Sequence, residues 1–304
     1  MAATRLTCMH RQSPRSICLR WMTASIVTLH GIFAGTAALA GCPSREEVMA
    51  VVSAYVNKTP MEQLERVRNM DDAYCAQGMI AAEIGRSMGV MVGYGAAFTS
   101  QSVRDHYHIE VPHRAFLYEK MFLKNGTTIM DKYGARPSVT ADLILVIKDY
   151  DIQNSRTLLE ALSHISHVVP YIELSDLMLG EEQPVTPLHL VATNMGTRMG
   201  VLGTPIPVKP TQEFLDGLAS MVVIMRDQDG NELGRARGNQ ILGNPIAALQ
   251  WLAQDLERNA QRIQVNDRIS VGAFFPGRTP TPGLVVTVDY EGLPGNPSVA
   301  VTFR

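Results

Sequence analysis

Residues 138–177 constrain the fold more than any other stretch of this chain. They open with Ser-Val-Thr-Ala-Asp-Leu-Ile-Leu-Val-Ile-Lys-Asp (138–149) and close with Val-Val-Pro-Tyr-Ile-Glu-Leu-Ser-Asp-Leu (168–177). Each half reads as a buried β-strand, being short, apolar and rich in branched residues. Each carries one carboxylate in apolar company, Asp142 in the first half and Glu173 in the second. An unpaired charge buried in this way costs several kcal/mol, so such a group is paired, hydrogen-bonded or bound to a cation. Two carboxylates converging from separate strands suit a hard divalent ion such as Mg²⁺. Carboxylates at strand ends are instead solvated or ion-paired, and spacing alone leaves both readings open.

At 304 residues the chain is long enough to bury one substantial core with a smaller appended lobe. Lys+Arg 27 against Asp+Glu 29 leaves a formal charge of −2, which favours no polyanionic partner such as nucleic acid.

Residues 1–41 are of another kind. Arg5, Arg11, Arg15 and Arg20 form a basic region without an acid, and 21–40 are apolar or small apart from Thr, Ser and His30. The run ends Leu39-Ala40-Gly41-Cys42, the form of a bacterial lipoprotein cleavage box. The expectation is a targeting segment over 1–41, a lipid on Cys42, and a mature chain in the cell envelope that meets the membrane only through that anchor. The alternative is a start further on and a cytoplasmic protein. With Cys8 and Cys18 in the leader and Cys42 lipidated, Cys75 is left alone and no intramolecular disulfide is expected.

The mature chain divides into an N-terminal helical segment, 42–89, and a larger domain, 90–304. Ser44 before Glu46 and Glu47 caps a first helix, Pro60 starts a second, and Met70 leads a third through Ile84. Then Val90-Met91-Val92-Gly93-Tyr94 reads as a strand, 101–137 as a loop-rich excursion, and 157–168 as a helix with Leu158, Leu159, Leu162 and Ile165 on one face. Further strands are expected over 188–194, 269–275, 283–290 and 299–303, and a hairpin around Asp227-Gln228-Asp229-Gly230. Gly243-Asn244-Pro245 opens a helix through Leu256. Several β segments, few helices and no βαβ repeat argue for an α+β fold: a rolled mixed β-sheet with an N-terminal helical lobe.

Other chemical patterns carry less. Gly85-Arg86-Ser87-Met88-Gly89 matches a nucleophile elbow in letters, but a helix precedes it and a strand follows, the reverse of what an elbow needs. It reads as a helix C-terminus capped by Gly89. His106, His108 and His113 read as a solvated loop, and His164 and His167 as the exposed face of a helix. Asn194, after an apolar run and before glycines, either orients a bound carboxylate or satisfies a turn.

Several segments together resemble the fumarylacetoacetate hydrolase superfamily, in its 2-keto-4-pentenoate hydratase and 4-oxalocrotonate decarboxylase branch. They are Asp-Ala-Tyr-x-x-Gln (72–77), Gly93-Tyr94, Phe-Leu-Tyr-Glu-Lys-Met (116–121), Pro-Tyr-Ile-Glu-Leu-Ser-Asp (170–176) and Gly-Asn-Pro leading to Trp251-Leu252. The resemblance implies a hydratase-like lyase that adds water to a short unsaturated 2-keto acid in aromatic catabolism, or a decarboxylase of the same family, and a self-associating protein. It implies Mg²⁺ or Mn²⁺ held by Asp142 and Glu173, with Glu173 also catalytic and Tyr94 and Asn194 beside the substrate. Two positions depart from the family pattern: Thr140 stands where a first carboxylate ligand belongs, and Gly95 where a lysine belongs. A catalytically degenerate envelope lipoprotein that binds a small carboxylic acid is the non-enzymatic alternative.

Overall fold

The computed structural model describes residues 41–304, so the basic region and apolar run read as a targeting segment lie outside the described residues. Helix α1 (Arg45–Asn57) begins as expected: Ser44 Oγ accepts from the Glu47 amide while the Glu47 carboxylate accepts from the Ser44 amide, a reciprocal cap. No helix follows Pro60. The chain crosses to α2 (Met70–Met88) as irregular backbone and is held at Met61, whose amide donates to the Met178 carbonyl at 2.9 Å. Helix α2 takes in the Gly-x-Ser-x-Gly letters and ends at Gly89 (φ 88°), so that motif is a helix terminus and not an elbow.

Cys42 and Cys75 are joined by a disulfide, with Cα atoms 5.5 Å apart. This corrects the expectation of an unpaired Cys75. It also conflicts with a lipid on Cys42, because a sulfur bonded to another sulfur has no valence left for a thioether.

From β1 (Met91–Ala97) the chain passes through α3 (Gln101–Tyr107), β2 (His113–Tyr118), β3 (Phe122–Lys124) and β4 (Thr127–Ile129). The stretch expected to be loop-rich is therefore largely regular. The two apolar strands form as read: β5 (Pro137–Ile147) and β6 (Ile165–Asp176) pair antiparallel along their length, with Thr140 opposite Glu173 and Asp142 opposite Tyr171. Between them α4 (Leu158–Ser163) is shorter than predicted. Ile165 and Val168 belong to β6, whose branched residues favour the pleat over another helical turn. His164 and His167 accordingly share no helix, and His164 Nδ1 lies 2.6 Å from Asp149 Oδ1.

Residues 188–194, expected as a strand, instead form α5 (Pro187–Ala192), which has Thr186 as its cap and proline at its first position. The remaining elements are β7 (Thr197–Leu202), β8 (Ile206–Pro207), α6 (Gln212–Ser220), β9 (Val222–Arg226), β10 (Glu232–Arg237), α7 (Pro245–Arg258), β11 (Arg268–Ser270), β12 (Val285–Glu291) and β13 (Ser298–Phe303).

The strands make two sheets. One runs β2-β1-β11-β5-β6-β7-β3, with β8 added at β6; the other runs β10-β9-β12-β13-β4. Both contain parallel and antiparallel pairs, the mixed α+β architecture expected. One face of the first sheet, with Val139, Ala141, Leu143, Ile172 and Leu174, packs on Val223, Val286, Val288 and Phe303 of the second, and α7 adds Leu249 and Leu252. On the opposite face α1, α2 and α5 share an apolar cluster with Phe98, Val103 and Ala115. The two cores are tied by polar contacts. Asp176 accepts from the amides of Ala135, Arg136 and Met178 and pairs with Arg198, which donates to the Tyr55 carbonyl at 2.8 Å and stacks over the Tyr55 ring. The helices are thereby anchored to the sheet beside the end of β6, where the candidate site opens.

Candidate active site

Because side chains alternate along a strand, β5 sends Ser138, Thr140 and Asp142 to the helical side of the sheet, and β6 sends Tyr171, Glu173 and Ser175 there. A cleft of about 70 Å³ opens on this face. Hydroxyls of Ser138, Thr140, Ser175, Thr197 and Ser270 surround one carboxylate, Glu173, while Phe98, Val103, Leu190 and Met195 form an apolar wall. No Lys, Arg or His lines the cleft among the described residues.

The two acids differ in surroundings. Asp142 is fully buried and does not line the cleft. Its Oδ1 accepts from the Leu143 amide at 2.5 Å and the Gly272 amide at 3.0 Å, and its Oδ2 accepts from the Ser270 hydroxyl. Gly272 has φ 97°, and a Cβ there would strike the Ala96 carbonyl and Thr99, so only glycine brings this amide to the carboxylate. Burial raises the Asp142 pKa, and the bonds from Ser270, Leu143 and Gly272 oppose that rise. Three donors keep Asp142 in its charged form.

Glu173 has no hydrogen-bond partner among the described residues and faces the cleft. Burial first, and the neighbouring Asp142 charge second, push its carboxyl up to about 8. With a fixed negative charge nearby and no donor of its own, Glu173 is the member of the pair that holds a proton at neutral pH.

Three sequence-predicted site residues are placed elsewhere. Tyr94 alternates out of the cleft into the core between the sheets, packed on Phe116, and the neighbouring Gly95 and Ala97 line the cleft instead. Asn194 turns its amide to β2: its Oδ1 accepts from the Phe116 amide at 2.7 Å and its Nδ2 donates to the Phe116 carbonyl at 2.9 Å. Both amide ends are spent on the edge of β2, so the side chain braces a strand and closes neither a turn nor a bond to a ligand. Asp142, expected as a metal ligand, is consumed by its three donors. Ser138 and Ser175 were within reach of the period-two rule once Thr140 and Glu173 were singled out. Ser270, 128 positions from its partner Asp142, carried no comparable cue.

The donor set decides how a divalent ion fits. Thr140 Oγ1 donates to the Phe275 carbonyl at 2.8 Å, so both its place and its hydroxyl proton are committed. Among the described residues no group of three His, Cys, Asp or Glu side chains converges. A hard cation wants several anionic oxygens; Glu173 is the single carboxylate free to offer one, so the residues present do not fit a resident ion. Thr140→Glu puts a second carboxylate directly across the ladder from Glu173. Calorimetric titration with Mn²⁺ is expected to give at least tenfold tighter binding than the parent chain, and an unchanged isotherm would count against this geometry.

No family model matches the chain. A 2-keto-4-pentenoate hydratase from Paraburkholderia xenovorans (strain LB400) is 26% identical over 229 residues, covering 74% of this chain and 81% of the relative. A 4-oxalocrotonate decarboxylase from Pseudomonas putida is 22% identical over 257 residues, covering 82% and 95%. Among solved structures, 4-oxalocrotonate decarboxylase from Pseudomonas putida G7, complexed with magnesium and adipate, superposes with a TM-score of 0.73 at 22% identity, over 86% of this chain and 98% of that one. A protein from Oleispira antarctica described as a fumarylacetoacetate isomerase/hydrolase superposes with a TM-score of 0.51 at 9% identity, over 70% and 94%.

Proposed function

For a chain that has the fold of the fumarylacetoacetate hydrolase superfamily, and whose relatives include 2-keto-4-pentenoate hydratases, we propose a lyase that adds water to a short unsaturated 2-keto acid of aromatic catabolism. The observation that carries this reading is Glu173: a carboxyl group without a hydrogen-bond partner, raised by burial, at the floor of an apolar cleft ringed by hydroxyls.

The chemistry follows from that placement. In 2-hydroxypenta-2,4-dienoate the conjugated enol is converted to the 2-keto-3-enoate when carbon 5 gains a proton and the 2-hydroxyl loses one. Water then adds at carbon 4 as carbon 3 takes a proton. A carboxyl poised near the working pH supplies the first proton and accepts one back, the task of a general acid–base. Ser138 and Thr197, whose hydroxyls are committed to no other group among the described residues, offer donors to the substrate oxygens, and the wall from Phe98 to Met195 keeps the diene out of water. Asp142 stays ionised and raises Glu173 by its charge.

The related decarboxylase structure holds magnesium. This chain brings one carboxylate, Glu173, to the cleft, so no step of the reaction is routed through Mg²⁺ or Mn²⁺ here.

Purified protein mixed with 2-hydroxypenta-2,4-dienoate is expected to bleach its ultraviolet absorbance, and the absence of bleaching over hours at micromolar enzyme would reject the hydratase reading. Gly95 has no positive φ, and a Cβ added there meets Ala115 and Ser270 only at 3.5–3.8 Å, ordinary contact. Gly95→Lys therefore starts without a clash at its Cβ and brings an ammonium to a cleft without one. Binding of 2-oxopentanoate by calorimetry is expected to tighten about tenfold, or ~1.4 kcal/mol.

A further inference from the structure

Helix α2 presents a second constellation, remote from the cleft. Asp72 and Cys75 lie three apart and so share a helix face, and the start of the described chain runs along it. Cys42 is bonded to Cys75. One residue earlier, Gly41 passes so close to the Asp72 carboxylate that a Cβ there would overlap it. Upstream, 38–40 read Ala-Leu-Ala after a basic region and an apolar run, the small-x-small pattern at which secretory leaders are removed.

We infer that the chain is exported, cut between Ala40 and Gly41, and closed by the Cys42–Cys75 disulfide, with the new α-ammonium of Gly41 set against the Asp72 carboxylate. Cleavage is hydrolysis: one water yields the Ala40 carboxylate on the departing leader and the amino group on Gly41. Closing the disulfide removes two protons and two electrons from two thiols, which a protein thiol–disulfide oxidant of the periplasm accepts. Lipidation is chemically exclusive of this course, since thioether and disulfide need the same Cys42 sulfur. The cysteine of the cleavage box thus serves as half of a staple that ties the mature N-terminus to α2. The order of events is consistent, because only an exported chain meets an oxidising compartment. The inference stands apart from the reaction in the cleft and does not depend on it.

The test uses the full-length chain expressed in a Gram-negative host, followed by intact mass analysis with and without reduction. The expected species begins at Gly41, carries no acyl mass, is two hydrogens lighter than its dithiol form and leaves the cell with the osmotic-shock fluid. Alkylation is expected to label no cysteine before reduction and two after it. A species beginning at a diacylglyceryl-Cys42 and partitioning into detergent overturns the inference. So does a full-length species in the cytoplasm with Cys42 and Cys75 both alkylated without reduction. Cys42→Ser separates the two fates further. It should still be cut after Ala40 and released, with a melting midpoint lower by about 10 °C. Loss of cleavage in that variant, as a lipoprotein box requires, overturns the inference as well.

Discussion

Glu173→Gln is expected to lower turnover of 2-hydroxypenta-2,4-dienoate by about 10³-fold, the range for a deleted general acid–base, while leaving the fold intact. The amide matches the carboxyl in shape but neither gives nor recovers a proton. The same variant has a second signature, in stability. The Glu173 carboxyl titrates near 8 in the folded chain and near its ordinary 4.5 when unfolded. Between those values the native state holds a proton that the unfolded state has released, so stability falls as pH rises through the window and levels off above it. Gln has no proton to lose. Thermal melts are therefore expected to coincide for parent and variant near pH 4 and to diverge by pH 8, with the variant melting higher. The gap has a ceiling of about 5 kcal/mol, since each pH unit between the two titration points is worth ~1.4 kcal/mol. Parallel melting curves across the range would show that Glu173 is an ordinary solvated carboxylate, and turnover surviving the change would move the chemistry elsewhere.

Asp142→Asn is expected to act on the fold before it acts on the reaction. The carboxylate accepts from Ser270, Leu143 and Gly272. An asparagine that keeps its oxygen on the two amides turns its nitrogen to Ser270, whose hydroxyl must rotate from donor to acceptor, and all three bonds lose the strength that the charge gave them. The loss is about 3 kcal/mol, or a fall of about 6–12 °C in melting midpoint for a chain of this size. Removing the charge also relieves Glu173, so whatever activity survives should show its pH profile moved toward lower pH. If the variant melts with the parent, the three bonds do not hold the strand pair and Asp142 regains its standing as a ligand in waiting.

Both expectations trace to acids that stand out in the sequence, and the contrast between them shows where reading stops. The apolar runs of β5 and β6 are legible because short runs rich in branched residues, such as Leu-Ile-Leu-Val-Ile and Val-Val-Pro-Tyr-Ile, favour a buried strand, and their isolated acids mark a place of unusual electrostatics. Which acid faces the cleft is not legible, because it depends on Ser270 and Gly272 arriving from β11 and the turn after it. Tyr94 misses the cleft by one position, and on a strand one position is the other face. The segment 188–194 reads as a strand from its apolar letters, while Thr186-Pro187, a cap followed by the proline of a first turn, is the stronger evidence. The disulfide is out of reach of a reading that gives Cys42 a lipid, and pairing across 33 positions depends on how α2 lies.

One further side chain joins the sheets. The Tyr290 hydroxyl, on β12, reaches across the core to the β5–β6 ladder, where it accepts from the Tyr171 amide at 3.1 Å and shares its one proton between the carbonyls of Asp142 and Tyr171. A rung of one sheet is thus completed by a residue of the other. The two layers cannot part without orphaning backbone groups between the two acids, so the chain should not yield a smaller working piece. Trimming the last two strands would strip the cleft of its floor support even though neither strand touches it.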